Sequence, residues 1–228
     1  IAAVRGNNKG GDGVADDVKI MSIRAVPNGD EHDKDVALAI RYAVDNGAKV
    51  INMSFGKGFS PNSEKVQDAI AYAASKDVLM IHAAGNDAAN VDEVPNFPHK
   101  PLVDQPSNLS RLMFLNIGAN TKEKGKKMVA DFSNFGAIEV DVFAPGNEIY
   151  NTVPQSEYKN LQGTSMAAPM VAGVAALLKS RFPAATMMDI CNAITSTVKK
   201  YPELEGLCNT GGVVNVYNAA MALEKKFK

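Results

Sequence analysis

The run with the most chemical content is Gly163-Thr164-Ser165-Met166-Ala167-Ala168-Pro169. Its small residues permit close backbone packing. Thr164 is placed to cap a helix and Ser165 to sit in its first turn. Exposed backbone N–H groups and the helix dipole favour negative charge there. A serine oxygen that attacks a carbonyl creates such a charge. The same run is also compatible with an ordinary Thr-Ser cap on a buried, alanine-rich helix. A second run, Ala83-Ala84-Gly85-Asn86, closes a strand-like segment. Its small residues leave an open floor, and the Asn86 amide together with the Ser165 N–H would make a two-donor oxyanion hole. Gly-Asn is equally suited to a plain turn. A third run, Asn52-Met53-Ser54-Phe55-Gly56, offers an extended edge ended by glycine, which suits pairing with a peptide backbone or simply the end of a strand.

The elements that must carry these runs alternate in type. Val18 to Val26 reads as a strand, and Asp33 to Asn46 as a helix with Val36, Ile40 and Val44 on one face, closed by Gly47 in a left-handed cap. Lys49 to Phe55 reads as a strand, Asn62 to Lys76 as a helix, Val78 to Ala83 and Met113 to Ala119 as strands. Such alternation means parallel pairing with right-handed crossovers, so the predicted fold is α/β, an open, mostly parallel sheet with flanking helices. Ligands of such sheets sit at the carboxyl ends of the strands, where the second and third runs lie. Asn86 to Arg111 is polar and proline-rich, an insert without predicted structure. Short strands are predicted at Ala130 to Phe132, Glu139 to Phe143, Glu148 to Val153 and Tyr158 to Leu161, and helices at Thr164 to Ser180, Thr186 to Val198 and Asn215 to Lys226.

Composition bounds the function. The chain has 228 residues, 24 Lys plus Arg against 25 Asp plus Glu, and 46% hydrophobic content. That length fits one domain, residues 1–228. The charge balance argues against nucleic acid as the main partner. The longest uncharged apolar stretch, Met166 to Leu178, holds Pro169 and Gly173 and is too short for a transmembrane segment. Cys191 and Cys208 are read either as free, half-buried thiols or as one disulfide. The chain opens Ile1-Ala2-Ala3-Val4, like the end of a helix already under way.

Taken in order, these runs resemble one family, the subtilisin-like serine peptidases, over nearly the whole chain. Gly6-Asn7-Asn8 with Gly13-Val14-Ala15 resembles the turn after the family's histidine helix; Val50 to Gly56 resembles the substrate strand; Ala83 to Asn86 resembles the oxyanion segment. Phe132-Ser133 and Phe143-Ala144-Pro145-Gly146 are similar to what precedes the active serine, Gly163 to Pro169 with Val171-Ala172-Gly173 to the serine signature, and Gly211-Gly212 through Asn215 to the turn into the last helix.

The resemblance implies a serine endopeptidase acting on polypeptides through an acyl-enzyme. Ser165 would be the nucleophile and Asn86 the oxyanion donor. Ser54, Phe55 and Gly56 would pair with substrate backbone, and Ala83, Ala84 and Gly85 would line the pocket for the side chain before the scissile bond. It implies an extracytoplasmic, secreted or cell-surface protein. It also raises calcium near Asn7, Asn8 and Asp12, with no cofactor otherwise called for. The family's aspartate and histidine motifs belong before the point where this chain opens, so the catalytic domain is read as lacking its N-terminal segment. None of His32, His82 and His99 stands where the family places its base. A serine without a base is a poor nucleophile, so the chain alone is expected to be inactive. The alternative is a non-catalytic, binding relative. A family strand from the preceding segment would lie beside Val18 to Val26; without it, a bared apolar edge suggests a homodimer.

Overall fold

The computed structural model describes residues 1–101 and 108–227. Its elements in chain order are α1 (Asp33–Asp45), β1 (Val50–Met53), α2 (Ser63–Ser75), β2 (Leu79–Ala83), α3 (Asn108–Leu112), β3 (Phe114–Asn120), β4 (Val142–Pro145), β5 (Ile149–Val153), β6 (Glu157–Leu161), α4 (Thr164–Arg181), α5 (Met187–Ser196), β7 (Lys199–Lys200), β8 (Gly212–Val213) and α6 (Val216–Phe227). Six strands form one sheet in the order β1-β2-β3-β4-β8-β7. Every pair from β1 to β8 is parallel, and only β7–β8 is antiparallel. β5 and β6 form a separate antiparallel hairpin. The α/β class with a mostly parallel sheet is therefore as the sequence predicts.

Both faces of the sheet are covered, so its central strands are apolar throughout. All of β2 and all of β3 are buried. Alternate residues of β2 serve opposite faces: Leu79, Ile81 and Ala83 pack with α4, whereas Met80 joins Val36, Ile40 and Ile70 of α1 and α2. α4 is apolar on all sides and lies against β1 to β4. Its alanines and Gly173 let it sit close to the sheet. A Cβ on Gly173 would meet Val14 Cβ at 2.7 Å. α1 ends as predicted, with Asn46 as C-cap and Gly47 at φ 86°.

Three sequence expectations need correction. Val18 to Val26 forms no strand: no neighbouring chain offers it ladder partners, and Ile20 and Met21 are 62% and 41% exposed. Ala130 to Phe132 is a turn after a single bridge from Val129 to Asn120, closed by the Ser133 N–H, which donates to the Ala130 carbonyl at 2.8 Å. The insert is not structureless. Lys57 pairs with Phe97, Asn90 pairs with Phe135, and α3 closes its far end. Residues 102–107, which include Pro106, lie outside the described residues. Lys100, buried, is ion-paired to buried Asp141 and pins the insert to the sheet. Cys191 and Cys208 are both free and buried, so the disulfide alternative falls.

Candidate functional site

Gly163 precedes α4 with φ 141°, a conformation that side chains strain. Thr164 then begins the helix at its first position, so the cap is Gly163 and the predicted capping role of Thr164 is corrected. Thr164 is fully buried and serves the end of β2 instead. Its N–H and its Oγ1 both donate to Asn86 Oδ1, at 2.8 and 3.1 Å, and its Oγ1 accepts from the Gly85 N–H at 3.1 Å. With Oδ1 so held, the Nδ2 end of the exposed Asn86 amide is turned away from Thr164. Ser165 N and both amide atoms of Asn86 lie within 3.6–3.7 Å of one point, the place a Cβ of Gly163 would occupy. The sequence run at 83–86 and the run at 163–169 thus meet at one place, 79 residues apart.

Ser165 is half-buried in the first turn, where a helix has no internal acceptor for its N–H. Its hydroxyl donates to the Ser54 carbonyl at 3.3 Å, and its own carbonyl accepts from Ser54 Oγ at 3.0 Å. Pro169 explains the second bond. Proline has no N–H to give the carbonyl four residues back, so the Ser165 carbonyl is left for Ser54. Asn52 Nδ2 donates to Ser54 Oγ at 2.9 Å. The third run therefore reaches the same cleft, with Ser54 and Phe55 half-buried and Gly56 exposed just beyond β1.

The floor between these runs is made by asparagines that the sequence reading did not single out. Asn134, buried, donates from Nδ2 to the Ala84 carbonyl at 2.9 Å, accepts from the Asp87 and Ala89 N–H groups, and gives its own N–H to the Gly85 carbonyl. Gly85, at φ 107°, has no room for a Cβ, which would meet Asn134 Nδ2 at 2.2 Å. Asn96, from the insert, donates to the carbonyls of Ala83 and Ala84 at 3.3 and 3.1 Å and lies against Gly56. Asn134 directly follows Phe132-Ser133, which the resemblance had already marked; nothing in the sequence pointed to Asn96.

No histidine serves Ser165 as a base in this chain. His82 is fully buried in β2; its Nε2–H donates to the Phe55 carbonyl at 2.8 Å and its Nδ1 lies 3.2 Å from the Asn116 amide. Burial lowers its pKa to about 4, so it is neutral and braces the Ser54–Gly56 segment from behind. His99 Nδ1 bonds the Lys100 carbonyl at 2.6 Å. His32 is the exposed N-cap of α1. Cys191 is no substitute nucleophile, since burial pushes its thiol up to about 12. In the Asn7–Asp12 loop, Asn7 Oδ1 accepts from the Lys9 N–H and Asp12 Oδ1 from the Gly6 N–H. Among the described residues no three His, Cys, Asp or Glu side chains group to hold a metal.

A family model, "Subtilase family", matches residues 1–214. The chain belongs to the subtilase family. It is 40% identical over 219 residues to thermitase of Thermoactinomyces vulgaris, covering 96% of this chain and 71% of that protein. It is 35% identical to a thermophilic serine proteinase of Bacillus sp. strain AK1, covering 96% of this chain and half, 50%, of that protein's length. Among solved structures, it is similar to a protease of Pseudoalteromonas arctica PAMC 21717, with a TM-score of 0.80 and 31% identity over 97% of this chain and 68% of that one. The resemblance read from the sequence is thus shown, and the sheet is that of the subtilisin-like structural neighbours.

Proposed function

We propose that this chain is the part of a serine endopeptidase domain that carries the nucleophile and the oxyanion hole, and that residues 1–228 act as one domain. Ser165 attacks the scissile carbonyl and forms the acyl-enzyme. The Ser165 N–H and Asn86 Nδ2 hold the developing oxyanion. Ser54, Phe55 and Gly56 pair with the substrate backbone, and Ala83, Ala84 and Gly85 line the pocket for the side chain before the scissile bond. The observation that carries this reading is the latch on Asn86: two donors of Thr164 fix its Oδ1, which presents Nδ2 beside the Ser165 N–H.

A hydroxyl at neutral pH needs a base, and His82 and His99 are bound elsewhere. Loss of the base costs on the order of 10⁶ in kcat in the triad, so the chain by itself is inactive. By its family it acts outside the cytoplasm, on polypeptides. Among the described residues no helix is long and apolar enough to cross a membrane.

The test is to join the chain to a segment bearing the family's aspartate and histidine and to measure hydrolysis of a chromogenic peptide. The joined protein cleaves, Ser165→Ala abolishes cleavage, and Asn86→Leu lowers kcat by about 10²–10³. Robust hydrolysis by the 228-residue chain alone, lost in Ser165→Ala, overturns the claim of inactivity. A joined, folded protein that binds peptides without cleaving them makes this a binding relative instead.

A further inference from the structure

β2 is apolar except for His82, which is fully buried and makes no contact with Ser165. Its Nε2 lies 2.8 Å from the Phe55 carbonyl. A carbonyl can only accept, so that contact puts the ring proton on Nε2. Nδ1 of that tautomer is an acceptor, and the Asn116 amide, which can turn either end toward it, lies 3.2 Å away. Asn116 is held in turn, since its backbone N–H donates to Asp141 Oδ2 at 2.7 Å. The Phe114 ring packs against the imidazole with centroids 5.6 Å apart. A buried histidine bonded at both nitrogens needs no further role. The partner of this one gives it a role.

The Phe55 carbonyl belongs to the peptide unit whose N–H is that of Gly56. A trans peptide is planar, and its C=O and N–H point in opposite directions. With the carbonyl drawn to His82, the Gly56 N–H points away from β2. The next peptide unit is fixed as well. The Lys57 N–H donates to the Phe97 carbonyl at 3.1 Å, which turns the Gly56 carbonyl away from Phe97. Among the described residues neither backbone group of Gly56 has a hydrogen-bond partner, and Gly56 is exposed. Gly56 itself rests on Asn96, whose Oδ1 a Cβ would meet at 2.6 Å. The donor and acceptor of Gly56 are thus unpaired and aimed by two pins, one on each flanking peptide unit. The His82 pin is a side chain, so it can be removed without touching the segment.

We infer that His82 is a positioning residue for the substrate: by holding the Phe55 carbonyl it aims the Gly56 N–H at a carbonyl of the bound peptide. The inference rests on the reading that Ser54 to Gly56 pair with substrate backbone. The Ser54 carbonyl lies 3.3 Å from Ser165 Oγ, so it stands at the residue under attack. Gly56, two positions on, meets the residue two positions along an extended peptide. His82 therefore acts on binding of peptides long enough to reach Gly56, through a bond it makes with the protein and not with the substrate.

The experiment uses the full chain with Ser165→Ala, which has no nucleophile, and titrates it with acetyl-Ala-Ala-Ala-Phe-amide while amide proton–nitrogen spectra are recorded. The expected result is a Gly56 amide proton that moves downfield and saturates. With His82→Leu added, the peptide binds at least about tenfold more weakly and the Gly56 movement is lost. His82→Gln keeps an amide N–H at the reach of Nε2, so it restores affinity to within about twofold of the parent. One measurement needs no variant: long-range proton–nitrogen spectra of the parent show His82 as the Nε2–H tautomer. Four results overturn the inference: the Nδ1–H tautomer, saturation by peptide with an unmoved Gly56 amide, unchanged affinity in His82→Leu, or a folded His82→Gln that binds as weakly as His82→Leu. Hydrolysis by the joined protein tests Ser165 separately, so cleavage together with an unmoved Gly56 amide removes this inference and leaves the nucleophile in place. No binding at millimolar peptide removes the backbone pairing and this inference with it.

Discussion

Two segments of this chain carry the same promise in their residue types and meet opposite ends. Val78–Ala83 and Val18–Val26 are both rich in branched and long apolar residues, and both read as strands in the sequence. The first is β2, paired on both sides with β1 and β3 and buried at every residue. The second has no ladder, and its Ile20 is 62% exposed. A strand is a relation between chains, and β propensity expresses packing against neighbours more than a backbone preference. The energetic contrast is the first thing to measure. Ile81→Ala deletes buried methylenes between β2 and α4 and is expected to cost about 2–5 kcal/mol in urea unfolding. A cost below about 1 kcal/mol would mean that β2 is packed no better than the unpaired segment.

β2 also carries a charge-state signature that Val18–Val26 lacks. His82 titrates near 4 when folded and near 6.5 when unfolded, because burial disfavours the imidazolium. Above 6.5 it is neutral in both states, and its full contribution to stability is present. As pH falls from 6.5 to 4 the unfolded state takes up the proton first, and that contribution is lost. At pH 4 the loss amounts to about 3 kcal/mol. In unfolding series from pH 7 to pH 4, His82→Gln is expected to lose that much less stability than the parent. Parallel pH curves for the two proteins would show that His82 is not buried as a neutral ring.

What the sequence made legible follows the same division. Helices with a clear apolar face, α1 and α2, and the central strands β2 and β3 appear within one or two residues of their predicted bounds, because their own side chains carry the period. The Gly163–Pro169 run is legible as the start of a helix with Ser165 in its first turn, although the cap is Gly163 rather than Thr164. Asn134 and Asn96 were not read, because their partners are backbone carbonyls of Ala83 and Ala84, and a loop asparagine has no period to reveal them. The unpaired state of Val18–Val26 was not legible either, since it depends on what lies beside it.

The joint between β2 and α4 is the next point of contrast. Thr164 holds both Gly85 and Asn86 through one hydroxyl, in full burial. Thr164→Val keeps the shape and removes that hydroxyl, leaving the Gly85 N–H without its acceptor. The expected cost is about 1–3 kcal/mol, measured by urea unfolding. The Thr164 N–H still holds Asn86 Oδ1, so Asn86 stays near Ser165 while its amide gains freedom. In the joined, active protein this variant is expected to lower kcat by less than Asn86→Leu does. A loss as large as that of Asn86→Leu would mean that the hydroxyl, rather than the backbone donor, sets the amide.

The smallest effect belongs to the unpaired segment. Ile20→Ala removes a side chain that is mostly in solvent, so in the chain alone it should change stability by no more than about 0.5 kcal/mol. Limited proteolysis should likewise cut within 18–26 before it cuts β2, since a backbone without ladder bonds opens at little cost. Cutting that begins in β2, or that strikes both segments together, would mean that the two differ by more than the presence of a neighbour.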